Sequence, residues 1–173
     1  MELKDKNINL LKFRKANISD KDGLKKLGIL SYSQFKNVLT ENSWLKMNSF
    51  LNSDKSYFDL LDISQCFVCE NKNEIIGMAF LVPKGNPTEI FDKDWSYIRM
   101  VGVNPKYIGN GIGKQLTNMC IEFARENNER IIALHTSEFM NSARHIYESL
   151  GFKQIKEIKP IFEKKYWLYQ LEL

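Results

Sequence analysis

Gly109, Gly111 and Gly113 stand close together in the run VNPKYIGNGIGK, residues 103–114. Before them, WSYIRMVGV (95–103) has strand character and is stopped by Asn104-Pro105. After them, Ile112, Leu116, Met119, Cys120, Phe123 and Ala124 recur on one helical stripe. The glycines therefore sit where a strand has ended and a helix begins. Each glycine in a helix costs about 0.5–1 kcal/mol relative to alanine, so three need a reason. Chemistry supplies one. The first amides of a helix lack internal acceptors and carry the positive end of its dipole, and a backbone without Cβ atoms can close on a phosphate. The plainer alternative is a tight turn with unusual dihedrals.

Two familiar phosphate loops fail on named residues. A dinucleotide fingerprint, G-x-G-x-x-G, counted from Gly109 meets Lys114 where its third glycine belongs. A P-loop, G-x-x-x-x-G-K-[ST], ending at Gly113-Lys114 meets Ile108 and Gln115 instead of glycine and a hydroxyl.

Cys66 and Cys69 form a C-x-x-C in QCFVCEN, a run with strand character. Side chains three apart on a strand face opposite ways, so the sulfurs diverge, and no second ligand pair accompanies them. With Cys120 they make an odd set of three. We read them as packing cysteines in a reducing compartment, and expect no metal. The net charge of +4 comes from 25 basic and 21 acidic residues that are scattered along the chain, which argues against a nucleic-acid surface. No apolar run reaches the roughly 20 residues needed to cross a bilayer, and the first ten residues lack a signal-like apolar stretch. Cytoplasmic localisation is the expectation.

The elements that must position the glycine run follow from periodicity. Residues 8–16 read as a strand. Ser19 and Asp20 suit a helix N-cap ahead of Leu24, Leu27, Tyr32, Phe35, Val38 and Leu39. A second helix is expected over 41–52, with Trp44, Leu45, Met47, Phe50 and Leu51 as its apolar members; 53–64 is left unassigned. Residues 66–70 and 75–82 flank a polar turn and read as a hairpin. A buried strand follows over 130–135. A helix over 141–150 carries Ala143, Ile146, Tyr147 and Leu150 on one face and stops at Gly151. Strands near 152–158 and 162–172 close the chain. This order predicts an α/β fold with a mixed sheet in one domain over 1–173.

The segment IGNGIG (108–113) resembles the [RQ]-x-x-G-x-[GA] pyrophosphate-binding segment of the GNAT superfamily, with Ile108 where Arg or Gln is usual. NSARHIYESLGF (141–152) is similar to the motif after that family's fifth strand, and YIRMVGV (97–103) is similar to its fourth strand. The resemblance rests on motifs over 95–155 and on element order before that. It implies a mostly antiparallel sheet of about seven strands whose parallel fourth and fifth members splay apart. It implies acetyl-coenzyme A as cofactor and transfer of its acetyl group to a primary amine. The backbone of Val101, Gly102 and Val103 would lie along the pantetheine arm, with the Val101 amide on the thioester carbonyl. Ile108, Gly109, Asn110, Gly111, Ile112, Gly113 and Lys114 would surround the pyrophosphate. Asn141 would either touch the cofactor or cap its helix, and Tyr147 would act as general acid toward the departing sulfur.

The general base stays open among His135, Glu138, Asp92 and Asp94, while His145 reads as a surface residue. The partner implied is a small-molecule or peptide amine, with neither nucleic acid nor membrane, and a homodimer is left open. Trp44, Phe50, Tyr57, Phe58 and Trp95 are candidates for an apolar entrance. Two competing readings are an acyl-coenzyme A binding module without turnover and a different nucleotide-binding domain.

Overall fold

The computed structural model describes residues 11–173. Seven strands, β1 (Lys12–Lys15), β2 (Gln65–Asn71), β3 (Glu74–Val82), β4 (Ser96–Val103), β5 (Ile131–Ser137), β6 (Lys153–Ile161) and β7 (Lys164–Glu172), form a sheet in the order β1-β2-β3-β4-β5-β7-β6. Every pairing is antiparallel except β4 with β5. This is the mixed sheet that the resemblance implies.

Five α-helices cover the described chain: α1 (Lys21–Tyr32), α2 (Glu41–Leu51), α3 (Asp54–Ile63), α4 (Ile112–Glu126) and α5 (Asn141–Ser149). Strand alternation divides the core in two. On one face Ile112, Leu116 and Tyr147 of α4 and α5 pack with Phe67 and Cys69. On the other, Leu24, Leu27, Tyr57 and Leu60 of α1 and α3 pack with Cys66 and Val68. The two sulfurs of the C-x-x-C therefore lie on opposite faces, as strand parity requires. The hairpin between β2 and β3 turns on Lys72 and Asn73, both left-handed with φ of 49° and 66°, the conformation that matches the twist of paired strands.

Some local expectations shift. The first strand spans Lys12–Lys15, and residues 8–10 of its expected range lie outside the described residues. Asp20 holds the N-cap position of α1, as expected, but makes no side-chain cap bond there; the capping side chain is that of Asn17, ahead of a short 3-10 turn over Ile18–Asp20. The Asn17 side chain accepts from the Ser19 amide at 2.9 Å, while the Asp20 carboxylate accepts from the Asn17 amide at 2.9 Å. Asp20 serves a second purpose as well. Arg14 donates to both its oxygens at 2.8 and 2.9 Å and to Glu70 at 2.8 Å, tying β1, β2 and the start of α1 together. The guanidinium holds both carboxyls below their ordinary values. The unassigned stretch is helix α3, capped by Ser53; Phe58 and Ile63 fall off its buried stripe and blur its period. Leu45 and Phe50 are exposed, because α2 buries only a narrow face through Met47 and Leu51, and Val38 is exposed in the turn before that helix.

α1 meets α3 at one close contact. A Cβ placed on Gly28 would lie 2.1 Å from the Tyr57 hydroxyl, which is buried and has no hydrogen-bond partner among the described residues. Gly28→Ala should therefore destabilise the protein by about 1–3 kcal/mol through overpacking, despite alanine's higher helix propensity. Tyr57→Phe removes both the obstructing oxygen and an unsatisfied buried polar group. It should be neutral or stabilising alone and should rescue Gly28→Ala. Urea unfolding of the two single variants and the double variant measures this, and additive losses would contradict it.

Candidate active site

The glycine run folds as a pinned loop with a bare helix start. Asn104 donates its amide to the Ile76 carbonyl at 2.8 Å, and its side chain accepts from the Lys106 amide at 3.0 Å. Tyr107 donates its amide to the Asn104 carbonyl, its hydroxyl accepts from Asn71 at 3.0 Å, and Asn110 Nδ2 donates to the Tyr107 carbonyl at 2.9 Å. Gly109 and Gly111 then turn left-handed, with φ of 88° and 75°, and a Cβ on either would meet nothing within 4 Å. Gln115 is the first residue of α4 whose amide finds a carbonyl, that of Gly111 at 2.9 Å. The amides of Gly109 through Lys114 have no acceptor among the described residues. Such a cluster at a helix N-terminus is built for an anion.

The three glycines divide their labour. Gly109 and Gly111 are required by backbone conformation and leave open space. Gly113 is required by packing, since a Cβ there would meet Ile146 Cδ1 at 3.3 Å and Val103 Cγ2 at 3.6 Å. Ile108 is 54% exposed beside them.

β4 runs toward this loop and parts from β5. Their pairing comprises Ser96 with Ile132 and Tyr97 with Ala133, and ends there. On its other edge β4 pairs Arg99 with Phe80 and Gly102 with Met78, so Met100 and Val101 together oppose Ala79. That bulge puts Met100 at φ 51°, a costly value for a side-chain-bearing residue, which suits a strand bent at a functional position. From Ile98 to Val103 the edge of β4 facing β5 is therefore free of strand partners.

Tyr147 lies on the α4 and α5 side of this gap. Its helix ends in a Schellman turn: the Phe152 amide donates to the Tyr147 carbonyl and that of Gly151 to the Glu148 carbonyl, both at 3.1 Å. The Phe152 ring packs edge-on to Tyr147 at 5.9 Å, fixing the phenol's direction. Tyr147 is 7% exposed, and its hydroxyl forms no hydrogen bond with the described residues. Burial pushes the phenol far above 10, and Tyr32 of α1, across the sheet, adds to the rise. Two phenols from opposite faces thus come within electrostatic range through the gap.

Asn141 is not a cap. Met140 holds that position, so the Asn141 side chain lies beyond it, exposed, and accepts from Arg144 instead. Among the base candidates, Glu138 is exposed and accepts from the Lys165 amide at 3.2 Å. Asp92 caps its own turn by accepting from the Asp94 amide at 3.0 Å, and Asp94 and His145 are exposed. Among the entrance candidates Tyr57 is wholly buried, Phe50 and Phe58 are exposed, and Trp44 and Trp95 pack at core margins.

His135 alone among the base candidates faces the gap, on the α1 side with Ala133. Phe91 stacks on both Tyr97 at 4.2 Å and His135 at 5.8 Å, and Tyr166 lies 5.5 Å from the imidazole. Burial, then the positive charge of Arg99, pushes His135 down to about 4, and its Nδ1 is buried without a partner. Sequence reasoning missed Arg99, Tyr97, Phe91 and Tyr166 as neighbours of the site. A signal existed only in the strand parity of Tyr97 and Arg99, and it has meaning once the register with β5 is known. Among the described residues no group of His, Cys, Asp and Glu could hold a metal ion. Among the described residues no helix is long and apolar enough to cross a membrane. A surface depression at the far end of α4, lined by Phe123, Asn127 and Glu129, lies away from this constellation.

Residues 35–152 match the model of a family described as Acetyltransferase (GNAT) family. Human N-acetyltransferase 8B is 33% identical over 101 residues, covering 58% of this chain and 43% of the relative. The chain thus spans less than half the length of the curated relatives it matches first. The PaiA N-acetyltransferase of Thermoplasma acidophilum in complex with coenzyme A superposes with a TM-score of 0.76 at 13% identity, covering 94% of this chain and 99% of that one. The ribosomal-protein-S18-alanine N-acetyltransferase of Escherichia coli gives a TM-score of 0.71 at 14% identity, with 94% and 93% covered.

The His135 environment has a measurable consequence. Its folded value of about 4 lies below the ordinary 6.5, so the unfolded chain binds the extra proton. Stability from this group is complete above pH 6.5 and is lost as pH falls toward 4, up to about 3 kcal/mol. Unfolding free energy measured between pH 7 and 4 should fall accordingly, and His135→Gln should flatten the slope in that window. An unchanged slope would show that His135 is not the group being charged.

Proposed function

The chain belongs to the GNAT acetyltransferase family, and on that footing we propose that it moves an acetyl group from acetyl-coenzyme A to a primary amine by direct attack. One observation carries the reading: the acceptor-free amides of Gly109 to Lys114 open beside the unpaired edge of β4. A diphosphate needs several donors and a positive field, and this helix start offers both. Ile108, an apolar side chain at 54% exposure, adds no charge, so the backbone does the holding.

Acetyl-coenzyme A, when bound, would supply a thioester open to the amine: the new carbon–nitrogen bond would replace the carbon–sulfur bond, with coenzyme A leaving as the thiol and the amine's proton passing to solvent. Val101 and Val103 would hold the pantetheine arm by their backbone groups, as the strand β5 lacks there. The Val101 amide, aimed at the carbonyl oxygen, would stabilise charge developing on it, an effect typically worth about 3 kcal/mol. Tyr147 would donate to the departing sulfur. With its ionised form penalised by burial, the phenol strengthens a hydrogen bond as charge grows on sulfur more readily than it surrenders its proton.

The acceptor must arrive neutral or lose a proton. At an ordinary amine value near 10.4 the neutral form costs about 4–5 kcal/mol at pH 7. A direct transfer to His135, held at about 4, would be uphill by about 9 kcal/mol. The aromatic mouth is the better agent, because it disfavours the ammonium, and water carries the proton out.

Tyr147→Phe should lower turnover tenfold or more while leaving coenzyme A affinity within a factor of two; unchanged turnover would remove Tyr147 from the chemistry. Gly111→Asp keeps a residue that tolerates left-handed backbone in open space, yet sets a negative charge in the anion site. It should weaken coenzyme A binding at least tenfold by calorimetry, and equal affinity in the folded variant would contradict the diphosphate site. Thiol release with acetyl-coenzyme A and an amine panel separates catalysis from a binding module, which would take up the cofactor and release nothing.

A further inference from the structure

Resting on acetyl transfer at this site, a second charge locates the acceptor. Arg99 lies on β4 two residues past Tyr97, the last β4 residue paired with β5, and His135 lies two past Ala133, its partner. Had the ladder continued, Arg99 and His135 would have been opposite one another. They stand instead on either side of the opening, both half-buried on the α1 face. Aromatic rings gather about His135: Phe91 against Tyr97 and His135, Tyr166 against His135, and Phe139 at 6.2 Å from Tyr166.

The other half-buried arginines each have a polar partner, although Arg144 Nε is buried without one among the described residues. Arg14 is forked between Asp20 and Glu70, and Arg144 lies over the Trp167 ring and donates to Asn141. Arg99 forms no ion pair and no hydrogen bond with the described residues. The acids nearest in sequence to the opening are already used, Asp92 by the Asp94 amide and Glu138 by the Lys165 amide. A half-buried guanidinium without a counter-charge is expensive, and the fold keeps it in a mouth lined by rings. Its charge is felt at Tyr32, Tyr97 and His135.

The cofactor's phosphates are not its partner. Arg99 lies four residues before Val103, about 13 Å back along the strand from the glycine loop. It lies two residues from Val101, about 7 Å from the carbonyl-binding position and on the acceptor side. A planar fork matches a carboxylate with two parallel hydrogen bonds. We propose that Arg99 binds a carboxylate of the acceptor, so that the substrate is an amine carrying a free carboxylate within a few bonds, of the amino-acid class, with an apolar side chain against the aromatic mouth.

Matched pairs test this: phenylalanine, leucine and methionine against their carboxamides, in turnover and, as N-acetylated products, in calorimetry with coenzyme A-bound enzyme. The carboxamides carry the less basic amine and are the more reactive without recognition, so a preference for the acids must come from the protein. The wild type should favour acids at least tenfold in kcat/KM, chiefly through KM, and bind acetylated acids over acetylated amides. Arg99→Gln should erase the preference by weakening the acids alone, Arg99→Lys should restore part of it, and coenzyme A affinity should hold in both. Equal use of acids and amides by the wild type, or equal losses on both in Arg99→Gln, overturns the carboxylate site and leaves acetyl transfer standing. Absence of coenzyme A binding to the wild type overturns acetyl transfer itself, and the carboxylate site with it.

Discussion

An interior strand edge left unpaired is an unusual thing for a sheet to keep, because each free amide and carbonyl there forfeits a hydrogen bond. β4 and β5 are joined by two residue pairs and then part, and the bulge at Met100 and Val101 bends β4 away. The parting lets groups from opposite faces of one sheet approach each other. Tyr147 comes from the α5 side; Arg99, His135 and Tyr97 come from the α1 side. At the end of the same strand, the first turn of α4 presents its amides. The free amides at the start of α4, the unpaired edge of β4 and the rings about His135 thus come together because two neighbouring strands do not stay paired.

The surrounding structure keeps that gap open. α4 sits directly on β3, where Gly77 leaves room: a Cβ there would lie 2.6 Å from Ile112 Cγ2. α5 seats Ile146 on Gly113, which couples the helix bearing Tyr147 to the helix bearing the amides. On the acceptor side, Glu163 at the tip of the β6–β7 hairpin accepts from Ser43 at 2.8 Å and from Thr40, docking the hairpin on the start of α2. These contacts are short and local, yet each holds one wall of the opening.

Electrostatics separates the two sides. The glycine loop offers neutral backbone dipoles and exposes Ile108 where Arg or Gln is usual in the family. The acceptor side concentrates one positive charge among rings, and that charge together with burial keeps His135 neutral. Arg99, half-buried and without an ion pair among the described residues, is the charge left on that side.

Reading outward from the sequence, the glycine run, the Tyr147 helix and its Gly151 stop were legible because each is a local matter. Left-handed backbone, helix caps and amphipathic stripes are set by residues within a few positions of one another. The hairpin at Lys72 and Asn73 and the opposed faces of Cys66 and Cys69 were legible for the same reason. What the sequence left out depends on pairing across long separations. That Gly113 is there for Ile146, that Asn141 falls one place past its cap, and that α3 exists despite Phe58 and Ile63 off its stripe needed packed neighbours. The meeting of Arg99 with His135 needed the register of β4 against β5, thirty-six residues apart in the chain. Local dihedral and hydrogen-bond rules wrote the cofactor loop into the sequence; the acceptor mouth exists only where the sheet places its parted strands.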